Sequence, residues 1–291
     1  MATQAAETPA QSPEAVVVRF AGDSGDGMQL TGGQFTLSTA LAGNDLATFP
    51  DFPAEIRAPQ GTLFGVSAFQ INFGSREINT AGDAPDVLVA MNPAALKVNL
   101  AALKPGGLII IDTGEFTKRN LDKAKYDVSP LEDDSLAKWD VLAFDISALT
   151  IEAVKPFGLG NKDALRSKNM WTLGLALWMF DRPRDPIHDW LKGKFKSKPE
   201  VLEANIKVLK AGYNFADTCE ISSSRFEVKP AKMSAGTYRN IMGNQATAMG
   251  LIAASQQSGL ELFYGTYPIT PASDILHELA KHKNFGVKSF Q

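Results

Sequence analysis

Three short apolar runs, each leading into a turn and then a helix-forming stretch, constrain this chain most. Ala15-Val-Val-Val-Arg-Phe20 is β-branched, as a buried parallel strand is. A Gly-rich turn follows, Gly22-Asp-Ser-Gly-Asp-Gly27, and then a helix-forming stretch from Met28 to Leu41. Asp86-Val-Leu-Val-Ala-Met91 is the second run, with Asn92-Pro93 opening a helix to Leu103. Leu108-Ile-Ile-Ile-Asp112 is the third, with an Asp at its carboxyl end. Leu63 to Phe73 alternates like a further strand, and Val141 to Ile146 reads as one more. Ser147 is placed to cap a helix reaching Lys155, and Asp163 to Phe180 and Pro199 to Ala216 read as helices. Strands alternating with helices predict an α/β, doubly wound, Rossmann-like domain over residues 14–216, after a disordered tail over 1–13.

From Asp217 to Met233 the periodicity fades, and Ser222-Ser-Ser224 and Lys229-Pro230 mark a linker. A second unit follows over 234–291: a small-residue helix within 236–258, a strand over 260–264, a turn at Tyr267-Pro-Ile-Thr-Pro271, a helix over 272–282, and the start of a strand at Val287. These elements are too few to bury a two-sided sheet, so either the domain continues or a partner completes it.

Composition narrows the function. Hydrophobic residues make up 44% and charged residues 21%, a globular balance, and the net charge of -3 gives no general attraction for nucleic acid or an anionic membrane. The N-terminus lacks a secretory pattern and no apolar run is long enough to span a bilayer, which predicts a cytoplasmic protein. Cys219 is the single cysteine, so the chain by itself can build neither a disulfide nor a four-thiolate cluster. With three histidines, His188, His277 and His282, no metal site is expected, and the last two read as surface residues.

Four stretches carry candidate chemistry. The Gly22–Gly33 loop joins a strand to a helix, where backbone N–H groups can meet an anion; it is a ligand loop or simply a tight turn. Asp23 and Asp26 oppose a phosphate there unless a cation intervenes, and no P-loop lysine is present. The Pro-rich Phe49–Gly61 stretch presents Arg57 either to an anion or to Glu55. Arg166-Ser-Lys-Asn169 is an anion-holding cluster or, more ordinarily, a solvated first turn. Tyr267-Pro-Ile-Thr-Pro271 fixes a hydroxyl at the start of a helix, for a small substrate or as a cap by Thr270 or Ser273.

Together these stretches resemble one family. Phe20-Ala-Gly-Asp-Ser-Gly-Asp-Gly-Met28, Phe52-Pro-Ala-Glu-Ile-Arg-Ala-Pro-Gln-Gly61, Gly65-Val-Ser-Ala-Phe-Gln70, Asp86 to Pro93, Lys168-Asn-Met170, Gly243-Asn-Gln-Ala246 and Tyr267-Pro-Ile-Thr-Pro271 are similar to the α subunit of 2-oxoacid:ferredoxin oxidoreductases with a γ domain fused ahead of it. The Glu-Ile-Arg-Ala-Pro segment looks most like the 2-oxoglutarate branch. The resemblance implies decarboxylation of a 2-oxoacid on thiamine diphosphate, acyl transfer to coenzyme A, and electron transfer to ferredoxin. It implies a β-subunit partner carrying Mg2+, the diphosphate site and a [4Fe-4S] cluster, in a dimer of αβ heterodimers, with neither nucleic acid nor membrane involved. Residue by residue, it assigns Thr270 to the substrate, and Tyr267, Pro268 and Ile269 to the thiamine ring. Gly25, Asp26, Gly27 and Met28, with Arg57 and Asn169, fall to coenzyme A. The two aspartates suggest that the loop meets the pantetheine arm or the adenosine edge instead of a phosphate. It implies that residues 234–291 are the start of a pyrimidine-binding domain. The family's catalytic Glu would lie beyond Gln291, so no catalytic residue is expected within the chain, which alone should be inactive. The alternative is a non-catalytic module that binds coenzyme A or a nucleotide.

Overall fold

The computed structural model describes residues 12–53, 63, 65–219 and 225–291. The chain divides into two compact units, one ending at Ser234 and the other running from Ala235 to Gln291.

In the first unit, β1 (Ala15–Asp23), α1 (Met28–Leu41), β2 (Asp45–Asp51), β3 (Val66–Gly74), β4 (Val87–Ala90), α2 (Pro93–Asn99), β5 (Leu108–Asp112), α3 (Lys118–Lys123), β6 (Asp140–Phe144) and α4 (Ile146–Val154) follow in order. Then come α5 (Asn161–Leu165), α6 (Lys168–Met179), α7 (Asp185–Lys194) and α8 (Pro199–Thr218). Among the described residues one six-stranded sheet forms, in the order β2-β3-β1-β4-β5-β6. The β1, β4, β5 and β6 neighbours pair in parallel, while β3 runs antiparallel to both β1 and β2. Alternate residues of one strand enter different cores, as the two-residue period requires. Val16, Val18 and Phe20 join Phe35 of α1 and the buried face of α6 on one side, whereas Ala21 packs with Leu88, Ile109 and Ala95 and Leu96 of α2 on the other. This is the doubly wound α/β architecture expected from the sequence, with its chain reversal between β1 and β4.

Several boundaries differ from the sequence reading. β2 lies where a loop was expected, because an edge strand tolerates Pro50. The helix expected over 163–180 is two, α5 and α6, interrupted at Ser167, whose hydroxyl donates to the Ala164 carbonyl at 2.7 Å. Asp145, not Ser147, caps α4: its carboxylate accepts from the Ala148 N–H at 2.8 Å. Within the stretch expected to be a linker, Phe226 and Val228 are buried in the first unit's core. The Phe226 N–H donates to the Met179 carbonyl at 2.8 Å, and Asn44 donates to the Lys229 carbonyl at 2.7 Å. Two apolar residues suffice to pin a segment whose sequence has no period.

The second unit holds α9 (Gly243–Ser258), β7 (Phe263–Gly265), α10 (Ser273–Leu279) and β8 (Lys288–Phe290), with β7 and β8 pairing in parallel. Its small core is Ala248, Ile252, Leu279 and Val287. No helix among the described residues is long and apolar enough to cross a membrane.

The packing of α6 on α8 depends on two glycines. A Cβ on Gly174 would lie 2.1 Å from the Leu209 carbonyl oxygen, and one on Gly212 would lie 1.9 Å from that of Trp171. Both obstacles are backbone, so the helices would have to separate. Gly212→Ala is expected to destabilise the fold by about 3 kcal/mol, readable in urea unfolding; an unchanged midpoint would contradict this packing.

Candidate functional site

The crevice at the carboxyl ends of β1, β4 and β5 collects the predicted loop residues Gly25, Asp26, Gly27 and Met28, with Asn169 beside them, at the reversal point where open α/β sheets bind ligands. β1 ends at Asp23, and the turn to α1 closes through an Asp26 N–H to Asp23 carbonyl bond of 2.9 Å. Asp26 folds back to accept from the Asp23 N–H at 2.8 Å. Gly27 occupies the left-handed region at φ 74° and caps α1, and a Cβ there would lie 2.6 Å from the Asn169 amide nitrogen. Gly25 meets no such obstacle. Met28 is buried beneath the loop.

Asn92 stands at the end of β4. Its amide donates to Asp23 at 2.9 Å and to Asp26 at 3.3 Å, while its oxygen caps α2 by accepting from the Ala95 N–H. Asp112, at the end of β5, is fully buried and accepts from the Ser147 N–H and hydroxyl and from the Gly114 N–H.

The cation that the sequence lacked near this loop arrives from α6, far along the chain. The Lys168 ammonium lies 3.0 Å from Asp26, 3.0 Å from Glu115 and 3.9 Å from Asp112, with its side chain 7% exposed. The more ordinary reading of Arg166 to Asn169 as a solvated first turn is therefore wrong for Lys168 and Asn169, which are buried; it holds for Arg166, which is exposed and pairs with Asp163. Burial alone would lower the Lys168 pKa, but Asp26 and then Glu115 outweigh it and hold it above the usual lysine value. Burial pushes the Asp112 carboxyl up, as it does Asp23, which Asp26 raises further.

Asp23, Asp26, Asn92, Glu115, Asn120, Lys123 and Lys125 line the resulting cleft of about 570 Å3. Its walls carry three carboxylates and two amides, with two exposed lysines and the apolar Leu63, Pro93 and Ala94 among them. Such a lining suits a ligand segment that donates N–H or O–H bonds. Among the described residues no group of three or more His, Cys, Asp and Glu is arranged to hold a metal ion.

Arg57 lies outside the described residues. The remaining predicted residues are in the second unit. Tyr267, Pro268 and Thr270 are exposed and Ile269 is half-buried. The backbone turns here through a cis Thr270–Pro271 bond, and α10 has no side-chain cap. Ser273 instead accepts from the Ile269 N–H at 3.0 Å. The Thr270 hydroxyl is thus not used to cap the helix. Cys219 and His277 are exposed, and His282 stands 3.4 Å from Glu278.

The family model described as pyruvate ferredoxin/flavodoxin oxidoreductase matches residues 17–215, nearly the whole first unit. The chain belongs to this family. It is 54% identical to the 2-oxoglutarate oxidoreductase subunit KorA of Mycobacterium tuberculosis, over 97% of the chain and 43% of KorA. It is 28% identical to the ketoisovalerate oxidoreductase subunit VorA of Methanothermobacter marburgensis, over 72% of the chain and 38% of VorA. Among solved structures it is similar to the 2-oxoglutarate:ferredoxin oxidoreductase of Magnetococcus marinus with 2-oxoglutarate, coenzyme A and succinyl-CoA bound, at TM-score 0.66 and 26% identity, over 96% of the chain and 43% of that one. The chain spans less than half the length of each of these relatives.

Lys168 generates the test of this family member's site. Lys168→Met leaves Asp26 and Glu115 without their cation and should cost about 3–5 kcal/mol at neutral pH. A lysine whose pKa is raised on folding contributes stability fully below its ordinary value near 10.5 and loses it as pH rises through the folded value. Denaturant titrations should therefore show an alkaline loss of stability in the wild type that Lys168→Met lacks.

Proposed function

We propose that this chain serves a thiamine-diphosphate-dependent 2-oxoacid:ferredoxin oxidoreductase acting on 2-oxoglutarate, in which coenzyme A accepts the succinyl group and reduced ferredoxin carries the electrons. The observation that carries this reading is the 54% identity to a 2-oxoglutarate oxidoreductase subunit, which runs through both units. The first unit is the coenzyme A unit. Its cleft supports that assignment by chemistry: the pantetheine arm is uncharged and brings amide N–H and hydroxyl donors to Asp23 and Asp26. Asp26, Gly27 and Met28 hold that end of the site, Gly25 leaves room above it, and Asn169 borders it through Gly27.

The second unit faces the thiamine ring, with Pro268 and Ile269 against it, Tyr267 beside them, and Thr270 donating its hydroxyl to the 2-oxoacid. When bound, thiamine diphosphate supplies the carbanion-stabilising chemistry that decarboxylation needs. The role of this chain's residues there is to orient substrate and exclude water. Mg2+, the diphosphate site and the [4Fe-4S] cluster are assigned to a β subunit by the family resemblance, and the single cysteine here supplies no four-thiolate set. The complex is a cytoplasmic dimer of αβ heterodimers.

Co-purification with a Cys-rich β subunit should give a brown complex that reduces a viologen dye when both 2-oxoglutarate and coenzyme A are present. Thr270→Ala should lower its kcat/KM for 2-oxoglutarate about tenfold, the worth of one substrate hydrogen bond. A colourless complex that binds coenzyme A without turnover would replace this reading with that of a binding module.

A further inference from the structure

The α7–α8 segment reverses the charge of the rest of the chain. Residues 184–210 carry seven Lys and Arg against four Asp and Glu, in a chain whose net charge is -3. Arg184, His188 and Lys192 stand four residues apart and so share one stripe of α7. Burial holds the His188 imidazole below its ordinary value, and Lys210 of α8, Arg184 and Lys192 lower it further, against Asp185. Three cations from two helices therefore converge on one part of the surface. Lys194, Lys196 and Lys198 continue it through the turn between the helices, all of them exposed. Lys196, Lys207 and Lys210 are exposed and make no ion pair among the described residues. The pair of Lys192 with Asp189, at 3.2 Å, is exposed on both sides and neutralises little of the field.

The same segment exposes no large hydrophobic side chain. Ile187, Leu191, Val208 and Leu209 are buried in the core. Its aromatic neighbours are covered by cations: the Arg184 guanidinium lies 4.0 Å from the centre of the Tyr213 ring, and the Lys194 ammonium 4.8 Å from that of Trp190. A permanent subunit interface is built around an apolar centre. A charged face without one suits a partner that is steered in by the field, meets the face briefly and leaves. Electron-transfer encounters are of this kind, with interfaces below about 1,200 Å2.

We propose that the cationic face of α7 and α8 docks an acidic electron carrier, a placement that rests on the ferredoxin reading above. A carrier with a negative surface is drawn to this face and repelled by the remainder of the chain, where acids outnumber cations. Lys196 and Lys210 have no partner of their own to give up when the carrier arrives. These lysines hold the carrier and take no part in the chemistry. A small dye, which needs no docked face, bypasses them.

The test uses the complex of the full chain with its β subunit, turning over 2-oxoglutarate and coenzyme A, with an acidic ferredoxin or a viologen dye as acceptor. Lys196→Glu/Lys210→Glu reverses two unpaired charges on the face. It should lower kcat/KM for ferredoxin about tenfold at low salt and flatten its salt dependence, as loss of steering does, while the viologen rate stays within about twofold. Lys196→Gln/Lys210→Gln adds no acid and should give about threefold; it carries the test if the reversal variant folds poorly. Lys118→Glu/Arg119→Glu makes the same charge change on the exposed side of α3 and should leave ferredoxin within about twofold. Ferredoxin kinetics unchanged in both α7–α8 variants, or lowered as much in the α3 variant, overturn this docking face and leave the proposed activity standing. If they are unchanged and the reversal variant no longer sediments with phosphatidylserine vesicles that hold the wild type, the face belongs to a lipid surface instead. If the wild type reduces neither acceptor, both readings fall.

Discussion

One ammonium group holds the ligand end of the sheet together. Lys168 enters from the first turn of α6, reaches Asp26 in the loop after β1 and Glu115 beyond β5, and lies near the buried Asp112. Remove it and Asp26 and Glu115 lose their cation while keeping only neutral hydrogen-bond donors, which costs more than most single contacts. The same bridge fixes the start of α6, so that Asn169 packs against Gly27. That approach leaves no room for a side chain at Gly27, where the loop takes its left-handed turn.

Three carboxylates, two amides and two lysines line the cleft at this end of the sheet. The rigid frame behind them is the sheet and the close approach of α6 and α8 through Gly174 and Gly212.

The parts of the fold that were legible in the sequence are those set by local period. The runs at 15–20, 86–91 and 108–112 are strands because they are short, apolar and rich in β-branched residues, with a single charge in each. Their alternation decides which face each residue enters, as Phe20 and Ala21 do. β2 was illegible because its Pro50 is a breaker everywhere except at a sheet edge, and edge position is a tertiary property. The break at Ser167 was hidden because a serine is tolerated in a helix, and only packing decides whether its hydroxyl turns back to the chain. Phe226 and Val228 looked like linker because two apolar residues have no period at all.

The candidate site divides the same way. The sequence by itself determined that a Gly-rich loop follows a buried strand, that Asp23 and Asp26 in it oppose a phosphate unless a cation intervenes, and that one cysteine cannot supply the four thiolates of an iron–sulfur cluster. It named Lys168 and Asn169 as a cluster but not what they serve. Only the tertiary structure decided that, because the coupling joins residues more than a hundred positions apart. A charge surrounded by solvent in the local sequence becomes, once buried, the counter-ion that makes an acidic loop stable.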